Sequence, residues 1–125
     1  MKKPINTSNA PAPIGPYSQA VISNGTLYLS GQIALDPNTG DLITDNIVDE
    51  THQVMKNIQA IINAAGLNMG QIIKCSIFIA NMDDFAEINE VYGTYFKNDP
   101  PARETVEVSR LPKNVNVEIS VIATE

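Results

Sequence analysis

Apolar residues recur at helical spacing in two segments of the chain. Over residues 49–65 they lie three and four positions apart, which predicts an amphipathic helix. Gly66 follows where glycine commonly ends a helix in the left-handed conformation. A second stripe predicts a helix over residues 83–97, and Pro100-Pro101 ends it. The inward positions of the two helices are Val54, Met55, Ile58, Ile61, Ile62 and Ala65, then Phe85, Ile88, Tyr92, Tyr95 and Phe96.

Alternation of apolar and other residues predicts strands between and around these helices. Residues 18–23 and 26–34 are β-like and meet at Asn24-Gly25, a dipeptide suited to the positive φ values of a tight hairpin. Further strands are predicted at 72–80, 103–109 and 115–124. In the first of these, one face is expected to carry Ile73, Cys75, Ile77 and Ile79. The proline-rich first seventeen residues are predicted to form an extended arm.

The order ββ-α-β-α-ββ predicts an α+β fold with a mainly antiparallel sheet and both helices on one of its faces. A chain of 125 residues is long enough for one such domain, covering 1–125. The other sheet face then lacks a cover, and apolar residues on it favour self-association. In the last strand this face is expected to hold Asn116, Glu118, Ser120, Ile122 and Thr124.

Composition narrows the classes of partner. Fourteen acidic against eight basic residues give a net charge of −6, which opposes binding to a phosphate backbone. No stretch approaches the roughly 18 apolar residues of a membrane span, and the N-terminus lacks the apolar run of a signal peptide. The lone Cys75 cannot form an internal disulfide, so we expect a reducing, cytoplasmic location.

Two residues that invite a catalytic interpretation have simpler explanations. Cys75 is in phase with strand isoleucines, so we predict a buried thiol and not a nucleophile. His52 lies beside acidic residues in a first helical turn, and the chain has no second histidine to complete a zinc site. No glycine-rich phosphate loop is present either. We therefore predict neither a metal nor a cofactor.

Arg103 and Glu118 are the stronger candidates. Arg103 follows the stiff segment Pro100-Pro101-Ala102, and a guanidinium matches a carboxylate through two parallel hydrogen bonds. The simpler alternative is a surface arginine paired with a nearby acid. Glu118 is placed mid-strand, where a carboxylate could position water or transfer a proton, or could be an ordinary exposed side chain. The residues alone leave both alternatives open.

Asn89 is a further candidate because it falls within the apolar stripe of the second helix. A polar side chain there needs a partner, whether backbone, a neighbouring subunit or a ligand. Gly93 costs about 1 kcal/mol of helix stability relative to alanine, so we expect another group to pack closely against the helix at that position. Tyr17 ends the arm and Ser30 closes a hairpin strand, while Gly31 could offer its N–H to an anion.

Four motifs in order resemble the RidA (YjgF) reactive-intermediate deaminase family across nearly the whole chain. They are GPYSQA at 15–20, SGQI at 30–33, NEVYG at 89–93 and PAR at 101–103, followed by Glu118 on the last strand. The resemblance implies a chorismate-mutase-like fold assembled as a homotrimer with clefts between subunits. It also implies hydrolysis of enamines and imines, such as 2-aminoacrylate, to 2-keto acids and ammonia, which is 2-iminobutanoate/2-iminopropanoate deaminase activity.

The same resemblance implies roles for individual residues. Arg103 would clamp the substrate carboxylate with help from the Gly31 backbone, and Glu118 would orient water and assist proton transfer. The remaining pocket residues would be Tyr17, delivered across the subunit boundary, together with Ser30 and Asn89. Thr105 stands where many members carry cysteine, which bears on substrate size and oxidative regulation.

Two alternative functions remain at this point. One is a regulatory trimer that binds 2-keto acids without turnover, and the other is an endoribonuclease or translation inhibitor. The strand alternation adds an expectation about assembly. We expect Arg103 and Glu118 to share one polar face that a neighbouring subunit encloses.

Overall fold

The computed structural model describes all 125 residues, and its centre is one six-stranded mixed sheet. The strands are β1 (Lys2–Ile5), β2 (Ala20–Ser23), β3 (Thr26–Gln32), β4 (Ile72–Ile79), β5 (Ala102–Glu107) and β6 (Val117–Thr124). Their order across the sheet is β1-β2-β3-β6-β4-β5. All neighbours are antiparallel except β4 and β5, which run parallel. The predicted α+β class and mainly antiparallel pairing are confirmed.

Two helices, α1 (Ile47–Ala64) and α2 (Phe85–Gly93), pack against each other and cover one face of the sheet. Alternate residues of the central strands point into this layer, because side chains of a strand alternate between faces. The largest fully buried side chains include Leu27, Met55, Ile58, Ile61, Ile62, Ile77, Ile79 and Ile119. No helix is long and apolar enough to cross a membrane.

Local signals in the sequence fix several element ends. Asn24 and Gly25 have φ values of 51° and 76°, so the predicted tight hairpin between β2 and β3 is confirmed. Asn46 caps α1 by accepting a hydrogen bond from the Asp49 backbone N–H. Gly66 has a φ of 79° just beyond α1, as its left-handed capping role predicts.

Other boundaries differ from the prediction. The N-terminal segment is not wholly an extended arm, because Lys2–Ile5 pairs with β2 as the sheet's edge strand. Pro4 is tolerated there because an edge strand has one side free of ladder hydrogen bonds. The second helix ends at Gly93 and not near 97. The next N–H groups, from Thr94 onward, bond three residues back, so the chain tightens out of the α-helix.

The prediction that Ile73 shares a face with Cys75 was wrong. The pairing of β4 with β6 shifts between Ile72 and Lys74, which marks a β-bulge. A bulge adds one residue to one strand and reverses the alternation beyond it. Ile73 is therefore 50% exposed, whereas Ile72 and Cys75 are buried. A single strand sequence cannot reveal a bulge that is defined by its partner.

The second sheet face has no helix over it. It carries Ser76 and Phe78 from β4 and Ser120 and Ile122 from β6, which are all only partly buried. Tyr28 of β3 pairs with Ile122 and is 50% exposed. This mixture of aromatic, aliphatic and hydroxyl side chains matches the predicted uncovered face.

A buried acid links α1 to the start of β6. Glu50 is fully buried in the first turn of α1. One carboxyl oxygen accepts a hydrogen bond from the Asn116 backbone N–H and the other from its side-chain amide, each at 2.7 Å. A buried polar group needs such partners, so each residue depends on the other.

We expect Glu50→Ala to lower the free energy of unfolding by about 2–3 kcal/mol, because the two Asn116 N–H donors would lose their hydrogen-bond acceptor. Urea unfolding followed by circular dichroism measures the change. Glu90→Ala is the matched control, since Glu90 is exposed on α2 and its side chain makes no hydrogen bond. That control should lower the free energy of unfolding by less than about 0.5 kcal/mol. Equal losses for the two variants would contradict the linking role.

Candidate active site

The strand register places Arg103 and Glu118 on opposite faces of the sheet. Arg103 is paired with Cys75, whose side chain points into the helix-covered core. Glu118 is paired with Phe78 on the uncovered face. Directly paired residues of neighbouring strands project to the same side. The expectation of one shared polar face was therefore wrong, because alternation within each strand does not set the register between strands.

A cleft of about 620 Å³ lies on the Glu118 side. It brings together four of the predicted site residues, namely Tyr17, Ser30, Gly31 and Glu118. The other lining residues include Ile14, Ile33, Leu35, Pro112 and Lys113, so the walls are mostly apolar with two charged side chains. Such a balance is typical of small-molecule sites.

Gly31 and Glu118 are in direct contact across the β3–β6 pair. The register shifts between Leu29 and Gln32, so Gly31 lies in a β-bulge opposite β6. A Cβ atom on Gly31 would come within 2.8 Å of Glu118 Oε2 and 2.9 Å of its Cδ. Glycine is needed here for the close approach of a carboxyl group to the backbone.

Burial in this cleft raises the pKa of Glu118 above its ordinary value, because desolvation disfavours the charged carboxylate. The side chain is only partly buried, and no acidic or basic neighbour contributes to the shift. A carboxyl group whose pKa is raised toward neutrality is better suited to accept and return a proton near neutral pH.

The N-terminal segment that forms one wall is held by Gln19, a residue to which sequence reasoning gave no role. Gln19 is 2% exposed. Its amide oxygen accepts from the Thr7 backbone N–H at 2.7 Å, and its amide nitrogen donates to the carbonyl oxygens of Thr7 and Pro11. A buried glutamine that satisfies several backbone groups fixes a segment with no regular structure.

The Ser30 and Tyr17 side chains also form hydrogen bonds within the cleft wall. The Ser30 hydroxyl donates to the Ser18 carbonyl oxygen at 2.7 Å, which ties β3 to the segment before β2. The Tyr17 hydroxyl accepts from the Ile14 backbone N–H at 3.2 Å, while the side chain remains 50% exposed. Ser30 thus shapes the cleft, and Tyr17 presents a free aromatic surface to it.

Arg103 belongs to a second group on the helix-covered side. Its Nη1 donates to Asn89 Oδ1 at 2.6 Å, which identifies the partner that Asn89 was expected to need. Its guanidinium carbon lies 5.1 Å from the centroid of the Tyr92 ring and 5.6 Å from that of Phe85. These distances are within the range of cation–π contact. Both Arg103 and Asn89 are exposed in the isolated chain.

No acid is paired with Arg103. The only ion pair in the structure joins Lys74 to Glu104 at 3.2 Å on the surface. The alternative of an ordinary surface salt bridge is therefore wrong for Arg103, although the chain carries fourteen acidic residues. Its remaining N–H donors are free for an anion.

Thr105 shares the Arg103 face through its pairing with Ile77. Its hydroxyl oxygen is buried without a hydrogen-bond partner. Gly93, where we expected a close approach, has open space around it, because a Cβ atom added there would meet no atom of this chain within 4 Å. That expectation is not met within one chain.

Cys75 lies buried beside the Arg103 group and His52 lies outside both groups, and neither is suited to catalysis. Cys75 is fully buried, and desolvation raises the pKa of its thiol even though Tyr92 and Arg103 act in the opposite direction. A protonated thiol is a poor nucleophile. His52 is partly buried and its Nδ1 lies 2.8 Å from the Tyr95 hydroxyl. No three His, Cys, Asp or Glu side chains are grouped to hold a metal ion.

Comparison with known proteins gives consistent matches over almost the entire chain. Residues 7–125 match the family model described as endoribonuclease L-PSP. A RutC family protein of Pyrococcus horikoshii is 51% identical over 98% of both chains. The 2-iminobutanoate/2-iminopropanoate deaminase of Mus musculus is 44% identical over 100% of this chain and 93% of its own. The structure of Escherichia coli TdcF with bound serine has a TM-score of 0.94 at 44% identity, covering 98% of each chain.

We expect Gly31→Ala to push the Glu118 carboxyl group off the cleft wall and lower its pKa toward the ordinary value, because the displaced group regains water. Carbon-detected NMR titration of the glutamate carboxyls measures this shift. The melting temperature should change little, since the displaced atoms end a flexible side chain. Gly93→Ala, with open space around its Cβ position, should leave the Glu118 titration unchanged. An unaltered Glu118 pKa in Gly31→Ala would contradict the contact.

Proposed function

We propose that this chain, which belongs to the endoribonuclease L-PSP family that includes the RidA (YjgF) proteins, is a 2-iminobutanoate/2-iminopropanoate deaminase. It hydrolyses reactive enamines and imines such as 2-aminoacrylate to 2-keto acids and ammonia. The name of the mouse relative supports this activity, while other relatives carry only the family name RutC. The TdcF structure with serine supports a small amino-acid-like ligand.

The proposal rests on one observation, namely that the Arg103 guanidinium is held in place but has no acidic partner. Asn89 and two aromatic rings hold its guanidinium, yet no acid neutralises it. An orientated guanidinium with free donors is suited to bind a planar carboxylate through two hydrogen bonds. Every substrate of this class carries a carboxylate next to the reacting carbon, so binding it would fix that carbon in place.

Glu118 supplies the second function that hydrolysis requires. A proton from solvent adds to the enamine carbon and gives an iminium, whose C2 carbon is already electrophilic. Water adds to C2 while Glu118 accepts its proton, and the carboxyl group then returns that proton to the nitrogen. The C–N bond breaks as ammonia leaves with its electron pair, the electrons of the hydroxyl oxygen form the carbonyl, and the hydroxyl proton is released to solvent. The raised pKa of Glu118 suits both proton transfers.

We infer that each complete site is shared between two subunits. Arg103, Asn89 and Thr105 lie on one side of the sheet, whereas Glu118 and its cleft lie on the other. One chain cannot direct both groups at one small substrate. A closed ring of subunits brings the Arg103 side of one copy to the Glu118 side of the next, and the uncovered sheet face provides surface for that contact.

In this arrangement Tyr17, Ser30 and Gly31 accompany Glu118, so the subunit boundary separates them from Arg103. We propose a homotrimer that acts in the cytoplasm, with Tyr17 covering the substrate and Ser30 and Gly31 shaping its pocket. No step of this chemistry requires a cofactor, since positioning of an electrophilic carbon beside one water supplies much of the acceleration.

The description of the family raises endoribonuclease activity as a second candidate, and the cleft favours it less. Its charged lining residues are Lys113 and Glu118, which are too few to bind a phosphate backbone. The only histidine, His52, is engaged with Tyr95 away from the cleft. A net charge of −6 further opposes RNA binding.

Arg103→Ala is expected to lower kcat/KM by about 100-fold or more, because the substrate carboxylate loses its charged partner. The assay couples a serine or threonine dehydratase to this protein and measures the rate of keto acid release. Arg110→Ala is the matched control, since Arg110 is exposed and its side chain makes no contact with an acid. Keto acid release by Arg103→Ala at the wild-type rate would refute the enzyme proposal for this site.

If each site is shared between two subunits, mixing two inactive variants should restore activity. Arg103→Ala and Glu118→Gln, refolded together in equal amounts, should regain about a quarter of wild-type activity, because that share of interfaces joins an intact Arg103 to an intact Glu118. Each variant refolded alone should stay inactive. Light scattering should give three chain masses of 13.6 kDa. A stable monomer, or no recovery on mixing, would contradict a shared site.

A further inference from the structure

We propose that Tyr92 and Phe85 form an aromatic platform that positions the Arg103 guanidinium and thereby sets the affinity for the substrate carboxylate. This inference rests on the proposed function, because it assigns a positioning role within the same site. Neither aromatic residue contacts the substrate in this proposal. They act through Arg103 alone.

The geometry of the platform is defined by two rings of one helix. The guanidinium carbon of Arg103 lies 5.1 Å from the Tyr92 ring centroid and 5.6 Å from the Phe85 centroid. Both rings belong to α2, the helix that also carries Asn89. Guanidinium groups favour the faces of aromatic rings because the ring quadrupole attracts their charge.

The platform is rigid mainly because of Tyr92. This side chain is 5% exposed and its ring packs against Phe96 with centroids 4.8 Å apart. A side chain confined on several sides offers a fixed surface to a flexible one. Arg103 itself has a long side chain in an exposed edge strand, so without support it would sample many rotamers.

The surroundings of the Tyr92 hydroxyl indicate that the aromatic ring, and not the hydroxyl group, positions Arg103. It is buried without an oxygen or nitrogen partner, and its polar neighbour is the Cys75 thiol. Burial raises the pKa of Tyr92, so the phenol stays neutral. A neutral, enclosed hydroxyl can neither reach a substrate nor transfer its proton. The part of Tyr92 that faces the site is its ring.

Asn89 and the platform restrict different motions of the guanidinium. The rings oppose movement of its plane away from α2, and the hydrogen bond from Nη1 to Asn89 Oδ1 opposes rotation within that plane. The rest of the group stays free for a carboxylate. Such preorganisation strengthens binding, because less conformational freedom is lost when the ligand arrives.

Binding of the carboxylate is similar in the substrate and in the transition state, since the carboxylate does not react. Loss of the platform should therefore act mainly on KM, with a smaller fall in kcat because the bound carboxylate also places the reacting carbon beside water. We expect Tyr92→Leu to raise KM, and the Kd of 2-ketobutyrate, by about tenfold. Tyr92→Phe keeps the ring and should stay within about twofold of wild type in both quantities.

The experiment measures imine hydrolysis by the dehydratase assay and 2-ketobutyrate binding by calorimetry, each in two backgrounds. In Arg103→Ala, Tyr92→Leu should change the Kd by less than about twofold, because no guanidinium remains to be positioned. Tyr95→Leu is the matched control, since Tyr95 contacts His52 and not Arg103. If Tyr92→Leu does not fold, Phe85→Leu provides the same test with a half-buried ring.

The outcomes separate this inference from the proposed function. Equal weakening of binding in both backgrounds, or a fall in kcat with an unchanged KM, would overturn the platform. The wild-type protein could bind 2-ketobutyrate without hydrolysing imines, while Tyr92→Leu weakens this binding only when Arg103 is present. That result would overturn the deaminase and support the platform. Wild-type protein that binds no keto acid would overturn both.

Discussion

The register between neighbouring strands is the constraint on which the rest of this structure depends. Because β5 pairs with β4 at Cys75–Arg103 and β6 pairs with β4 at Phe78–Glu118, the two charged candidates face opposite sides of one sheet. A shift of either pairing by one residue would turn its side chains to the other face. The register therefore determines that a site using both residues must combine two copies of the chain.

Each half of the proposed site has a different physical character. Around Arg103 the contacts are short and specific, with one hydrogen bond and two aromatic rings but no opposing charge. Around Glu118 the surroundings are mostly apolar, and a glycine in a bulge lets the carboxyl group lie against the backbone. One half is thus suited to hold an anion, and the other to raise the pKa of an acid.

Sequence patterns predicted the elements well and their mutual arrangement poorly. The apolar stripes identified both helices, and Asn24-Gly25 identified the hairpin, because these signals are local. Ile73 was misplaced because its bulge depends on β6, and the Arg103–Glu118 arrangement was misjudged because register depends on neighbouring strands. Family resemblance selected the candidate residues, but it did not identify the aromatic support beneath Arg103.

The buried polar residues were also missed, although together they explain how so sparse a site can be positioned accurately. Gln19 holds the arm, Asn57 donates to the carbonyl oxygens of Ile33 and Leu35, and Glu50 holds Asn116 just before Glu118. Each of the three is at most 2% exposed, and each fixes backbone beside the cleft or beside the strand that carries Glu118. A reaction at an already electrophilic carbon gains most from accurate placement. On the Glu118 side of the proposed site, buried polar residues provide that placement.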